Sequence, residues 1–327
     1  MALKPLNAIH KEQILAGIKG RNKGHKFEKI LTDAINAIDF SNFIPLTITN
    51  HINTGNPAHI LISYIIQHYS NLEIINVKAF WLGGLATGNE GDQFNDSTGK
   101  PIKKSKSDIL LQLETTTGTY IKGISIKTCN KSTPTNAQMF FTTATAFCNL
   151  LRNNNINVSN DAQIGLQMFC GDIGFRPLDR LDSKLLNLRI SDLNRFYWEE
   201  LPHKSIEDLE NLFTTYQDEI SKLLFQKAYK DEAFTPEFLL HQTVKYDNFD
   251  MCKVALFSIQ EIVCLSRAHQ GFHCSPYTIN KGTYKHDNSI HLAPRFGFIQ
   301  FQRGGQKQHP TQLQFNLKAG YFNLIND

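Results

Sequence analysis

The sequence predicts an α/β (α+β) fold: a central mixed sheet flanked by helices, with a mainly helical insertion and a C-terminal β-rich segment. Three observations point there. Short β-branched runs alternate with helical patterns over the first half, residues 179–232 carry Leu, Glu, Asp and Lys at helical spacing, and residues 296–322 return to strand-like alternation. With 327 residues, 41% of them hydrophobic and 11% aromatic, the chain can fill a sizeable core.

After Gly24, the run HKFEKILTDAINAI places Phe27, Ile30, Leu31, Ala34, Ile35 and Ile38 at helical spacing, which predicts a first helix with Glu28 riding on it. HILISYIIQHYS (59–70) reads as a second helix and NLEIINVKAFWL (71–82) as a β-branched strand. Residues 83–106 are glycine-rich with turn chemistry throughout. They are too many for a mere connector, which marks a candidate functional loop. SDILLQLE (107–114) and YIKGISIKT (120–128) form two strands joined as in a hairpin by TTTGT. NAQMFFTTATAFCNLL (136–151) is expected to be helical and DAQIGLQMFC (161–170) a strand. After Pro236, KVALFSIQEIVCLSR reads as a strand running into a helix, and FGFIQFQR and TQLQFNLKAGYF as strands around RGGQKQHP. These patterns divide the chain into a core with N-terminal helices (1–172), a helical insertion (173–235) and a β-rich segment (236–327).

No stretch of some 18 apolar residues occurs, so no membrane span is expected. The N-terminus lacks the apolar region of a secretory signal, and the six cysteines show no disulfide spacing; both place the chain in the cytoplasm. Cys264, His269, His273 and Cys274 lack a paired-cysteine knuckle, and Lys100 is followed by Pro101 rather than Ser or Thr, which argues against zinc and a Walker loop respectively. Net charge is +4, but the bases cluster. Seven bases face two acids in each of residues 1–30, 99–131 and 267–327, while 179–232 holds twelve acids against eight bases. Separated basic blocks on a nearly neutral chain suit a polyanion-binding face.

Asp108 opens one hairpin strand, and Ser125, Ile126 and Lys127 lie near the end of the next. Ser125 and Lys127 share a side, and the Ile126 carbonyl remains available as an oxygen ligand. Antiparallel pairing would bring Asp108 beside them. A carboxylate and a lysine converging at a strand edge would hold a divalent metal beside a phosphate. Glu114 shares parity with Asp108 but lies roughly 20 Å along the strand, beyond the reach of a shared ion.

These residues resemble the PD-(D/E)xK nuclease superfamily, specifically the Type II restriction endonucleases. KSDILL (106–111) sets Asp108 in the metal-ligand position, ISIK (124–127) sets Lys127 in the catalytic lysine position, and GHKFEKIL (24–31) sets Glu28 in the first-helix acid position. The resemblance covers about residues 20–172. It departs at Ser125, which stands where the family usually has Asp or Glu, and residues 130–160 contain no acid to replace it. Glu28 is the best remaining carboxylate. The resemblance implies Mg²⁺ held by Asp108, the Ile126 carbonyl and Glu28, with Lys127 orienting or deprotonating the attacking water. It implies hydrolysis of double-stranded DNA by a homodimer, paired functionally with a cognate DNA methyltransferase. Two alternatives stand beside it: a DNA-binding protein with a degenerate nuclease core, and a structure-selective repair nuclease.

Base edges are read by Arg on guanine and by Asn or Gln on adenine. QFQRGGQKQHPTQLQF supplies Gln300, Gln302, Arg303, Gln306, Lys307, Gln308 and Gln312 around Gly304 and Gly305. Residues 20–25, ahead of the expected first helix, offer Arg21, Lys23 and backbone amides to phosphate, as Lys103, Lys104 and Lys106 do from the long loop. Asp92 and Asp96 are fallback metal ligands.

Overall fold

The computed structural model describes residues 8–83, 91–95, 98–103, 105–129, 136–189, 192–227, 233–242, 251–278, 290–303, 311–318 and 320–325. The chain divides into two compact units, one of 2–137, 225–263 and 319–327, the other of 138–224 and 264–318.

The first unit is built on a six-stranded mixed sheet. Its strands are β1 (Ile52–Thr54), β2 (Ile74–Trp81), β3 (Ile109–Thr115), β4 (Gly118–Thr128), β6 (Pro236–Gln242) and β7 (Lys253–Ser258), in the order β1-β7-β6-β4-β3-β2. β2, β3 and β4 form an antiparallel meander, β4 pairs parallel with β6, and β6 and β7 are antiparallel. Helices α1 (Ala8–Asn36) and α2 (Pro57–His68) cover one face. There Phe27, Leu31, Ile60, Leu61 and Ile65 pack with Ile109, Leu111, Ile124 and Leu256 in one buried cluster. Asn56 starts α2 by accepting from the backbone N–H groups of Ala58 and His59, with Pro57 in the first turn. The other face holds a smaller cluster of Leu82 and Leu110 with Phe80, Phe94 and Phe234.

The second unit has a five-stranded sheet of β5 (Ala137–Thr143), β8 (Phe272–Thr278), β9 (Ile290–Phe296), β10 (Ile299–Arg303) and β11 (Gln312–Leu317), ordered β5-β11-β10-β9-β8. With it go helices α3 (Ala144–Arg152), α4 (Asn160–Cys170), α5 (Pro177–Arg180), α6 (Ser183–Leu188), α7 (His203–Thr215) and most of α8 (Gln217–Gln226). The helical reading of 179–232 therefore holds over its described residues. α9 (Ile259–His269) follows β7 directly, and α10 (Tyr321–Leu324) returns the chain to the first unit.

Three expectations are corrected. Residues 161–170 are helix α4, not a strand: the fully buried Ala162, Gly165, Leu166 and Phe169 fall at helical spacing, Ser159 caps the start, and Gly171 ends it at φ 77. Only the second half of 136–151 is helical. Met139, Phe140, Phe141 and Thr142 suit a strand, and Thr143 closes it by accepting from the Ala146 N–H to start α3. The strand that extends the meander beside β4 is consequently β6, more than 100 residues downstream. Finally, α1 begins at Ala8 and runs through Gly20 and Gly24, so residues 20–25 lie inside a helix, where their amides serve helical bonds rather than phosphate.

Candidate active site

At the end of the β2–β4 meander the expected residues meet within the first unit. Ile109 pairs with Ile124, and the Asp108 N–H donates to the Ile124 carbonyl at 2.8 Å, so the register carries one step past β3 and sets Asp108 opposite Ser125. Beyond this point β3 no longer borders β4. The polar groups of Ile126 on that side are thus left to side chains: its N–H donates to Asp108 Oδ2 at 2.5 Å, and its carbonyl accepts from Lys127 Nζ at 3.0 Å. Lys127 Nζ also donates to Ser125 Oγ at 3.2 Å and lies 3.9 Å from Asp108 Oδ2, while Ser125 Oγ approaches Asp108 Oδ2 at 3.4 Å. Asp108 and Lys127 each keep about a quarter of their side chains exposed, at 26% and 22%, so a ligand can reach them.

Glu28 comes to the same place from α1. It is 6% exposed and accepts a hydrogen bond from Trp81 Nε1 at 3.1 Å. Burial, followed by the negative charge of Asp108, pushes its carboxyl up to about 8; the Trp81 N–H and the Lys127 ammonium pull the other way. Two neighbouring carboxylates beside a backbone carbonyl form a hard oxygen donor set suited to a small divalent cation. Among the described residues no group of three or more His, Cys, Asp or Glu is placed to hold a metal.

Sequence reasoning missed three supports of this site. Trp81 ends β2 and fixes Glu28. Gly83 lies so close that a Cβ there would stand 2.1 Å from Glu28 Oε2 and 2.6 Å from Trp81 Nε1. Gly83→Ala is therefore expected to displace the Glu28 carboxylate and lower activity at least tenfold with little loss of stability, a result that single-turnover kinetics beside a thermal melt would check. His241 is Lys127's partner in the β4–β6 register, is 1% exposed, and has its Nδ1 2.8 Å from the Tyr321 hydroxyl. Burial and the neighbouring ammonium lower its pKa to about 3, so it stays neutral behind the lysine. Trp81 followed by Leu-Gly-Gly was a local signal for the first two; nothing near His241 in the sequence signals its place.

The DNA-contact candidates fall in both units. Lys23 is exposed on α1, and Arg21 is in the same helix with its side chain outside the described residues. Lys103 is exposed and Lys106 half-buried, while Lys104 lies outside the described residues. Asp92 is tied to the end of β2, its Oδ2 accepting from the Trp81 N–H at 2.8 Å; Asp96 lies outside the described residues. Gln302 is half-buried on β10 and accepts from Gln300 at 3.3 Å. Gln306, Lys307 and Gln308 lie outside the described residues. Arg303 is engaged elsewhere. Its guanidinium, 8% exposed, donates to the fully buried carboxylate of Asp192 at 2.9 Å. Asp192 also pairs with Arg195 at 3.0 Å, so Arg303→Ala would leave it one of its two cations and is expected to cost about 1–2 kcal/mol of stability, measurable by urea unfolding.

Neither a protein-family model nor a curated protein matches this sequence. A solved structure does. The chain is similar to the crystal structure of restriction endonuclease MspI in complex with its cognate DNA, at 14% identity and a TM-score of 0.45, over 79% of this chain and 78% of that one. No described helix is long and apolar enough to cross a membrane.

Proposed function

We propose that the chain is a Type II site-specific deoxyribonuclease that hydrolyses phosphodiester bonds of double-stranded DNA with Mg²⁺. The observation behind this reading is the convergence of Asp108, Glu28, Ser125 and Lys127 at one strand end, with Lys127 Nζ 3.9 Å from Asp108. Asp108, Glu28 and the Ile126 carbonyl are the groups that would hold the ion. When bound, Mg²⁺ would supply Lewis-acid stabilisation of charge on the phosphate and acidify water.

The protein's own groups do the rest. Two acceptors, Ser125 Oγ and the Ile126 carbonyl, hold the Lys127 ammonium in place and leave one of its hydrogens for an attacking water or a phosphate oxygen. Positive charge fixed there before the reaction stabilises the negative charge that develops at phosphorus. Glu28, with its raised proton affinity, can hold a proton at neutral pH, and Trp81 keeps its carboxylate turned toward Asp108.

Cleavage of a palindromic site goes with a two-fold dimer, and a cytoplasmic enzyme of this kind needs a DNA methyltransferase of matching specificity to protect its host. The test is digestion of mixed plasmid DNA with and without Mg²⁺. Discrete metal-dependent bands support the enzyme. One observation favours a second reading: with Ser125 in an acid position, two carboxylates meet among the described residues, as in a non-cleaving DNA-binding protein. Retarded but uncut DNA in Mg²⁺ would establish that reading instead.

A further inference from the structure

The two faces of the five-stranded sheet in the second unit are unlike. Phe296, Ile299, Phe301, Leu313, Phe315 and Leu317 point to one face and are buried, packed with aromatic side chains including Phe213 and Trp198. Strand alternation puts Arg303 on that same face, in its pair with Asp192.

The opposite face is polar. β10 contributes Gln300 and Gln302, and its antiparallel partner β11 contributes Gln312 and Gln314, with Gln302 directly across from Gln314. Arg295 on β9 stands beside Gln300, and His273 on β8 stands beside Arg295. All six are half-buried, so each presents part of its side chain to solvent. Arg295 Nε is buried without a hydrogen-bond partner among the described residues, and burial alone lowers its pKa, whereas the Arg303 guanidinium has its carboxylate. From residue 288 to 326 the sequence contains no Asp or Glu at all.

We propose that this face, with Gln300, Gln302, Gln312 and Gln314 on the β10–β11 ribbon and Arg295 beside them, reads the base edges of double-stranded DNA, and that Arg295 rather than Arg303 supplies the guanidinium. The choice of DNA as occupant rests on the nuclease reading, and the chemistry of the face agrees with it. Side-chain amides carry the paired donor and acceptor that adenine requires, and a guanidinium lacking a carboxylate matches guanine. β9, β10 and β11 themselves carry no Asp or Glu to repel phosphates, and Glu199, which meets β9, is paired with His291 at 2.7 Å.

The test scores binding rather than cleavage. A Lys127→Ala chain is mixed with duplexes of randomised sequence in Ca²⁺, and the bound duplexes are sequenced. One sequence is expected to be enriched. Gln302→Ala and Gln314→Ala, added singly, should each lower the preference for it at least tenfold, with overall affinity for random duplex and the melting curve unchanged. Arg295→Lys, which keeps the charge but loses the planar fork, should do the same. Enrichment of the same sequence with undiminished preference in all three variants would overturn the proposal, as would no enrichment of any sequence. A protein that selects a sequence through these residues yet never cuts would remove the nuclease reading alone. One that cuts with a preference indifferent to them would remove this face alone.

Discussion

Lys127→Ala is expected to reduce cleavage of plasmid DNA in Mg²⁺ on the order of a thousandfold while DNA binding persists. The side chain is 22% exposed; it donates to Ser125 Oγ and the Ile126 carbonyl on its own strand and forms an ion pair with Asp108 at 3.9 Å. Its loss therefore leaves the buried cluster under the sheet untouched, and the melting temperature should hardly move. Activity falls because the ammonium is the only cation described at this strand end, and it is held by two acceptors before any phosphate arrives. Lys127→Arg should fail to restore the rate, since a planar guanidinium cannot take both acceptors of a compact ammonium in the same space. A single-turnover assay with a gel-shift measurement beside it separates the chemical step from binding. Near-normal cutting by Lys127→Ala would place the chemistry elsewhere.

The second large effect concerns Glu28, where activity and stability should move in opposite directions. Its folded-state pKa is raised from the ordinary 4.5 to about 8, chiefly by burial and then by Asp108. Between those values the folded protein binds more protons than the unfolded chain, so the contribution of Glu28 to stability is greatest below pH 4.5 and is lost as pH rises toward 8. Glu28→Gln keeps the shape and still accepts from Trp81 Nε1, but it has no proton to lose. The variant should therefore be more stable than the wild type by a margin that grows with pH across this window, by up to about 1.4 kcal/mol per unit. Cleavage should be lost, because an amide is a poor ligand and carries no negative charge for Mg²⁺. Melting curves of metal-free protein at pH 5 and pH 8.5 with an activity assay check both halves. An unchanged pH dependence of stability in Glu28→Gln would show that this carboxyl is not the strained group.

The hairpin was legible because its signals are local: β-branched alternation, a short polar turn, and Asp108 and Lys127 at positions that antiparallel pairing must bring together. Glu28 was legible through the helical spacing of Phe27, Leu31 and Ile35. The misreadings share a physical origin in tertiary structure. Gln163, Gly165 and Gln167 interleave with Ile164, Leu166 and Met168 like a strand, yet Gly165 is small so that α4 can approach α7, where a Cβ would stand 2.8 Å from that of Ser205. The sequence 296–303 looks continuous, but Gly297 takes φ 52 and turns the chain between β9 and β10, its position leaving no room for a Cβ beside Ser266. Which face receives Arg303 depends on the register after that turn, which composition does not reveal. The pairing of β4 with β6 across more than 100 residues has no local signature.

That long-range pairing bears on when the strand-end cluster can assemble. Lys127 lies on β4, which pairs with β3 on one side but gains its second neighbour, β6, only when residues 236–242 exist, and the hydroxyl beside His241 belongs to Tyr321. A nascent chain emerging from the ribosome therefore carries Asp108 and Lys127 long before the platform beneath them can form, since non-local strands pair late. Under the nuclease function proposed above, translation order alone would keep a half-made copy from cutting the DNA of the cell that is making it.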